Sequence, residues 1–234
     1  MKLVSWNILA NEFISPEDYP MLSVETLFNR KNRFRQIVRV LKTLDADIIF
    51  LQEVMLWEYR RLAKALQVYH VYRGKNIKWY AESSHSGNLI LLRKNLFHRR
   101  APIYDFPFGF GLRLPDGLLV NVHLNDKSHT KRLKEIKHLL PFFAREKSVI
   151  LGGDFNQNYK STSSLYKCLA VAGFKTYMKE PTYFLDKKMS IDHLLVKGSN
   201  WPQGAIEPVQ IFDGNFAKQF KVYGSDHLPV VLRI

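Results

Sequence analysis

Asp154 and Asn156 stand just beyond a short apolar run, Ser148-Val149-Ile150-Leu151, separated from it by Gly152 and Gly153. In extended backbone, positions i and i+2 point to the same side. The segment therefore predicts a carboxylate and an amide delivered together to one rim of a sheet. The glycines would let the backbone turn tightly and let a ligand come close. Such a pair suits a phosphate, a water or a divalent cation, although Asp-x-Asn also occurs in plain turns. Five further segments join a strand-like run to a polar group. Lys2–Asn7 ends on an amide, Asp47–Glu53 on a carboxylate, and Leu118–Asn125 on His123 and Asn125. Ser190–Val196 carries Asp192 at its start, and Ser225-Asp226-His227 leads into Leu228–Leu232. Six such ends imply one shared site.

Glu53, Asn7 and Asp226 offer hard oxygen ligands, which suit Mg²⁺ or Mn²⁺ rather than zinc. The sequence has no Cys/His cluster with zinc spacing and no Gly-rich Lys-Ser/Thr loop for nucleoside triphosphates. His227 beside a buried Asp192 would be fixed in one tautomer and made more basic. His123 could donate a second hydrogen bond to a phosphate oxygen, and Asp154 with Asn156 could place an attacking water. The sum is metal-dependent hydrolysis of a phosphoester, with no side-chain nucleophile beside a base to suggest a covalent route. Each residue has a plainer reading. Glu53 could cap the following helix, and His123 could be a satisfied core histidine. His193, alternating with Asp192, should face the other way. His70, His85, His98, His129 and His138 are assigned to the surface, and Asn125 shares a strand face with His123.

The elements that must position these groups follow from periodicity. Strands are expected over residues 2–9, 47–51, 68–73, 88–93, 96–102, 109–114, 118–124, 148–151, 190–196, 205–211 and 228–234. Pro115-Asp116-Gly117 marks a hairpin turn. Helices are expected over 29–44, 55–66, 128–144 and 162–172, the last closed by Gly173. Residues 11–28 read as a long loop near the rim. Hairpins alternating with helical crossovers suggest two mixed sheets packed face to face and covered by helices.

The chain has 234 residues, 46% of them hydrophobic, enough for one domain with a full core. No linker, repeat, signal-like start or apolar run near a membrane span is visible, so the expectation is an intracellular chain in the cytoplasm or nucleus. The single Cys168 excludes an intramolecular disulfide and reads as a small apolar filler on a helix. The net charge of +14 favours a polyanionic partner, nucleic acid first and an anionic membrane surface second. Basic clusters at 30–35, 93–100 and 131–137 are placed on solvated helix faces or turns. Nothing in the sequence calls for an obligate protein partner, and a monomer is expected.

Taken in order, Ser-Trp-Asn-Ile-Leu-Ala, Leu-Gln-Glu-Val, Asn-Val-His-Leu, Gly-Gly-Asp-Phe-Asn, Ile-Asp-His-Leu and Ser-Asp-His-Leu-Pro-Val resemble the endonuclease/exonuclease/phosphatase superfamily, from residue 5 to 230. The resemblance implies an α/β (α+β) four-layered sandwich like that of pancreatic deoxyribonuclease. It implies metal-site positions at Asn7 and Glu53, with Asp226 as a further metal contact. His123 and His227 match the paired catalytic histidines, Asp154 and Asn156 the positions that orient water and phosphate, and Asp192 the carboxylate behind the last histidine. The opening motif and His123 lean toward the deadenylase-like and deoxyribonuclease-like branches. A nuclease is the leading expectation. A phosphoinositide or phospholipid phosphodiesterase, with Phe106–Phe110 as a lipid-inserting loop, or a tyrosyl-DNA-type enzyme is the alternative. A non-catalytic binding module would have lost one of these groups, and none is missing.

Overall fold

A computed structural model describes residues 1–74, 86–96, 101–177, 180–184, 188–198, 204–207, 209 and 215–234. Among them twelve strands form two six-stranded mixed sheets. The first sheet has the order β11(Ala205–Glu207), β12(Val230–Arg233), β1(Lys2–Asn7), β2(Ile48–Met55), β4(Ser86–Arg93), β3(Tyr69–Arg73). The second runs β5(Ile103–Phe106), β6(Gly109–Leu114), β7(Gly117–His123), β8(Val149–Asp154), β10(Asp192–Lys197), β9(Phe174–Thr176). Each sheet holds one parallel pair at its centre, β1 with β2 and β7 with β8, and is otherwise antiparallel.

The central strands are apolar on both faces because both faces are covered. Leu3, Ile48, Phe50, Leu119, Ile150 and Leu194 meet between the sheets. Val4, Trp6, Ile49 and Leu51 face outward onto α2(Arg30–Leu44) and α3(Leu56–Ala65) through Ile37, Leu41 and Leu62. Val120, Val122, Val149 and Leu151 pack under α4(His129–Ala144) and α5(Ser164–Val171). The result is the expected four-layered sandwich. Helix starts follow the capping chemistry: Asn29, Ser128 and Ser163 accept backbone N–H groups of the first turns of α2, α4 and α5. Gly173, at φ 88°, ends α5 as the sequence predicts.

Several boundaries differ from expectation. β1 stops at Asn7 and β7 at His123, so the site residues close their strands rather than precede further turns of them. The strand expected over 96–102 falls partly on residues outside the description; Leu96 lies in a turn and β5 begins at Ile103. The long loop 11–28 contains a short helix, α1(Val24–Phe28), and the helix α6(Phe216–Tyr223) was not anticipated. Phe106 and Phe110 are buried and Phe106 stacks with Phe108 and meets Phe142 edge-on, so this segment is a packed aromatic turn and not a free lipid anchor. Arg33, assigned to a solvated helix face, is buried. No helix among the described residues is long and apolar enough to cross a membrane.

Candidate active site

The second sheet supplies three groups from regular strand ends. In its register His123 of β7 lies beside Asp154 of β8, and Asp154 lies opposite Asp192 of β10. Gly153, at φ 147°, is held so close to β7 that a Cβ there would lie 1.9 Å from the Val122 carbonyl oxygen. A Cβ on Gly152 would press into Phe50 and Leu194. The glycines thus admit neighbouring strands and core side chains, and the expectation that they make room for a ligand is corrected. Past β8, Asn156 takes φ 47° and its backbone N–H donates to Asp154 Oδ1 at 2.7 Å, while its Nδ2 donates to the Leu124 carbonyl at 3.0 Å. Asp-x-Asn therefore forms a turn, and that turn lies at the rim of the cleft. Asn125 does not extend the strand: its Oδ1 accepts from the N–H groups of Lys127 and Ser128 and turns the chain into α4.

The first sheet supplies the other half from irregular backbone. β2 does not end before Glu53; it continues to Met55 across a bulge between Leu51 and Val54. Glu53 sits in that bulge at φ 56°, a conformation that costs a non-glycine residue about 1–3 kcal/mol. The bulge re-aims the carboxylate, whose Oε1 accepts from Asn7 Nδ2 at 2.7 Å and Oε2 from the Ala10 N–H at 2.8 Å. It does not cap α3, where Glu58 accepts from the Met55 N–H instead. Asn7 Nδ2 also donates to Asp154 Oδ2 at 3.0 Å, and Asn7 Oδ1 accepts from the Leu9 N–H. One amide thus joins a carboxylate from each sheet. Asp226 accepts from the Tyr19 hydroxyl at 3.0 Å. His227 Nδ1 lies 2.8 Å from Asp192 Oδ2, which leaves Nε2 facing the cleft, 4.0 Å from Asp154 Oδ2 and from Asp226 Oδ1.

Thus Asn7, Glu53, His123, Asp154, Asp192, Asp226 and His227 converge. His123 Nε2 is 3.8 Å from Glu53 and 3.7 Å from Asp154. Ligand atoms of Glu53, His123 and Asp154 all lie within 4.8 Å of one another. Around them opens a cleft of about 540 Å³, lined also by Asn125, Asn156, Tyr19 and Tyr183. Burial raises the pKa of Glu53, with His123 and Asn7 opposing. Burial and then the neighbouring Asp192 raise that of Asp154, with His227 and His123 opposing. Burial alone would depress His227, but Asp192, Asp226 and Asp154 together hold it well above the ordinary histidine value. His193 does face the other way, packed on Phe155 with its Nε2 2.7 Å from the Tyr166 hydroxyl. Burial pushes its pKa down to about 4. His129 and His138 are exposed and His70 is half-buried; His85 and His98 lie outside the described residues.

Several supporting residues escaped the sequence reading. Arg33 ties two site loops: its Nε donates to the Gly224 carbonyl, Nη1 to Asn11, and Nη2 to the carbonyls of Ile8 and Leu9. Its signal was available, because Arg33, Ile37 and Leu41 share one helical stripe. Between the sheets Gln52 Nε2 donates to Asn121 Oδ1 at 2.8 Å, and Asn121 Nδ2 donates to the carbonyls of Leu51 and Leu89. Trp6 Nε1 donates to the His227 carbonyl, Ser225 Oγ to the Asn7 carbonyl, and Thr182 Oγ1 accepts the Asp192 N–H. Tyr19 and Thr182 lie in segments without periodicity and carried no signal.

The model of the Endonuclease/Exonuclease/phosphatase family matches residues 4–227. No curated protein sequence matches the chain. Among solved structures the fold is similar to ANGEL2, a 2′,3′-cyclic phosphatase, with a TM-score of 0.71 at 14% identity, covering 99% of this chain and 93% of that one. It is also similar to D. rerio TDP2 complexed with a single-strand DNA product, with a TM-score of 0.65 at 16% identity over 100% and 99% of the two chains. A Bacteroides thetaiotaomicron mannosyl-6-phosphatase gives 0.62 at 16% identity over 100% and 98%.

Proposed function

Because the chain belongs to the endonuclease/exonuclease/phosphatase family, we propose that it is a divalent-metal-dependent phosphodiesterase that hydrolyses nucleic acid by direct attack of water. The observation that carries this reading is the cluster of Glu53, Asp154, His123 and the Asp192–His227 pair at one cleft. Two buried carboxylates, Glu53 and Asp154, are joined through Asn7 Nδ2, and burial raises the pKa of each. Such hard oxygens suit Mg²⁺, or Mn²⁺ in its place, which when bound would offset the charge of the phosphate oxygens. Glu53 and Asp226 are its proposed ligands; Asn7 would join them only through Oδ1, and it now donates to Glu53 and Asp154 instead.

The remaining roles belong to the chain's own groups. Protonated His227, held by Asp192, donates from Nε2 to a phosphate oxygen and stabilises the charge that builds there. His123 Nε2 is the second donor. Asp154 accepts a hydrogen bond from the attacking water, with Asn156 fixing the loop that carries it. The water oxygen bonds to phosphorus, the P–O bond to the leaving alcohol breaks, and the water's proton ends on the leaving oxygen. The charge of +14 supports a polyanionic substrate, as do the likenesses to TDP2 and ANGEL2. End-labelled single- and double-stranded DNA and RNA are the substrates to test, each with Mg²⁺, Mn²⁺ or EDTA, and with RNA ended in a 2′,3′-cyclic phosphate and a 5′-tyrosyl oligonucleotide alongside. Metal-dependent cleavage is expected. Cleavage that persists in EDTA, or turnover confined to phosphoinositide vesicles, rejects the proposal.

A further inference from the structure

Beyond Tyr19 and Tyr183 the cleft continues into a second cavity of about 540 Å³, walled by Glu17, Asp18, Pro20, Met21 and Phe216. The two cavities share Asp18, Tyr19 and Tyr183 as walls. Tyr183 stands against His227, with ring centroids 5.0 Å apart, so the second cavity begins beside the reacting centre. Its chemistry is the reverse of the rest of the surface. Residues 11–28 contain Glu12, Glu17, Asp18 and Glu25 and no Lys or Arg, in a chain whose net charge is +14. They also expose apolar side chains at the rim, Phe13 at 54% and Met21 at 62%. Just past the cleft residues Asn125 and Asp126 the exposed Lys127, Lys131, Lys134 and Lys137 form a basic flank, while Arg132 is buried.

We infer that this side pocket binds the terminal nucleoside of the substrate, so that the enzyme works from a strand end. The inference rests on the nucleic-acid reading above and specifies it. A pocket of this volume suits one small ligand. Tyr19 and Phe216 are buried, so the half-buried Tyr183 with the exposed Pro20 and Met21 are the apolar faces left to take a base, which on an aromatic ring is worth about 1–3 kcal/mol irrespective of sequence. Glu17 and Asp18 oppose a phosphate entering behind that base, because like charges at contact distance repel even where salt screens them farther away. A nucleoside followed by another phosphate is therefore disfavoured, and one at the end of a strand is preferred. The phosphates on the other side of the scissile bond run toward the basic flank.

The test compares a linear single strand with the same sequence closed into a covalent circle, each with Mg²⁺. The linear strand is expected to shorten one nucleotide at a time, with the circle cut at least about tenfold more slowly, as one stacked base is worth. The charge reversal Glu17→Lys with Asp18→Lys should narrow that ratio by raising cleavage of the circle, with the linear strand still degraded. Both side chains are exposed, and Asp18→Asn is the milder variant, expected to shift the ratio in the same direction. If the wild-type protein cuts circle and linear strand equally, the end-binding pocket is overturned while the nuclease stands. If neither is cut, the nuclease reading itself fails and the pocket's assignment falls with it. Turnover of phosphocholine-headgroup vesicles with both strands intact would give the pocket to a cationic headgroup instead.

Discussion

The two sheets make their halves of the site in different ways. In the second sheet His123, Asp154 and Asp192 occupy neighbouring strand ends in ordinary register. In the first, Glu53 sits in a bulge at positive φ, and the loop after β1 passes through Leu9 at φ 58°. The regular half follows from strand pairing, which Gly153 permits by admitting β7 where a side chain could not fit. The irregular half persists only because other groups hold it: the Ala10 N–H and Asn7 on the carboxylate, and Arg33 on the carbonyls of the loop. On the first sheet the candidate site therefore costs backbone strain, whereas on the second it costs the burial of Asp154 and Asp192.

Four measurements sharpen or break this contrast. Asp192→Asn keeps the shape of a regular strand end but removes the charge that orients His227. Turnover should fall by about ten-thousandfold, the scale seen when such a carboxylate is lost, with a smaller loss of stability than from Arg33→Ala because Asn can still hydrogen-bond a neutral His227. A rate near wild type would remove the pair from the mechanism. Glu53→Gln should cost about a thousandfold in turnover. It should also flatten the dependence of rate on Mg²⁺ concentration, and retained activity would mean that the cation lies elsewhere. Arg33→Ala leaves the carbonyls of Ile8, Leu9 and Gly224 without their buried donor. Denaturant unfolding should show a loss of about 3 kcal/mol, with turnover falling even where the protein remains folded. An equal loss from Asp192→Asn would erase the distinction between the sheets.

The smallest effect is a pH dependence on the outer face of the second sheet. His193 has a folded pKa of about 4 against an ordinary 6.5. Between those values the unfolded chain holds the proton and the native chain does not. Its neutral form therefore supports folding fully above pH 6.5, and that support is lost as pH falls toward 4. Glu58 acts oppositely: burial lifts its carboxyl to about 7, so its contribution is full below 4.5 and is lost as pH rises through 7. The informative quantity is the difference between wild type and His193→Leu. From pH 8 to pH 5 the wild type should lose about 2 kcal/mol relative to the variant. Parallel melting curves would show that His193 is protonated within the fold.

Legibility in the sequence followed the same division. Strand ends with polar groups were visible because extended backbone has a simple period, and so His123, Asp154 and Asp192 were found together and His193 was set apart. Glu53 is legible by its type, but the bulge that re-aims it leaves no mark in apolar periodicity, so the strand reads as shorter than it is. The charge of Arg33 points to a solvated face, whereas its place four residues before Ile37 puts it on the buried stripe. Asn121 shares a strand face with His123, two residues away, and Gln52 adjoins Glu53, but a polar group that bridges two sheets leaves the same mark in sequence as one that meets solvent. Tyr19 reaches Asp226 across 207 positions of chain from a segment with no regular pattern. Only the folded chain brings such a pair together.

The amide pair of Gln52 and Asn121 has a mechanical consequence. Leucine and phenylalanine side chains resist compression of one plate onto the other, but they grip sideways motion only through their shapes. A hydrogen bond at 2.8 Å weakens steeply once its atoms are dragged out of line. It acts as a dowel, fixing the lateral setting of the plates a short way beneath the groups that must meet across the seam. Replacing Asn121 would also strand the carbonyls of Leu51 and Leu89, so the lateral setting of the plates and their stability depend on the same amide.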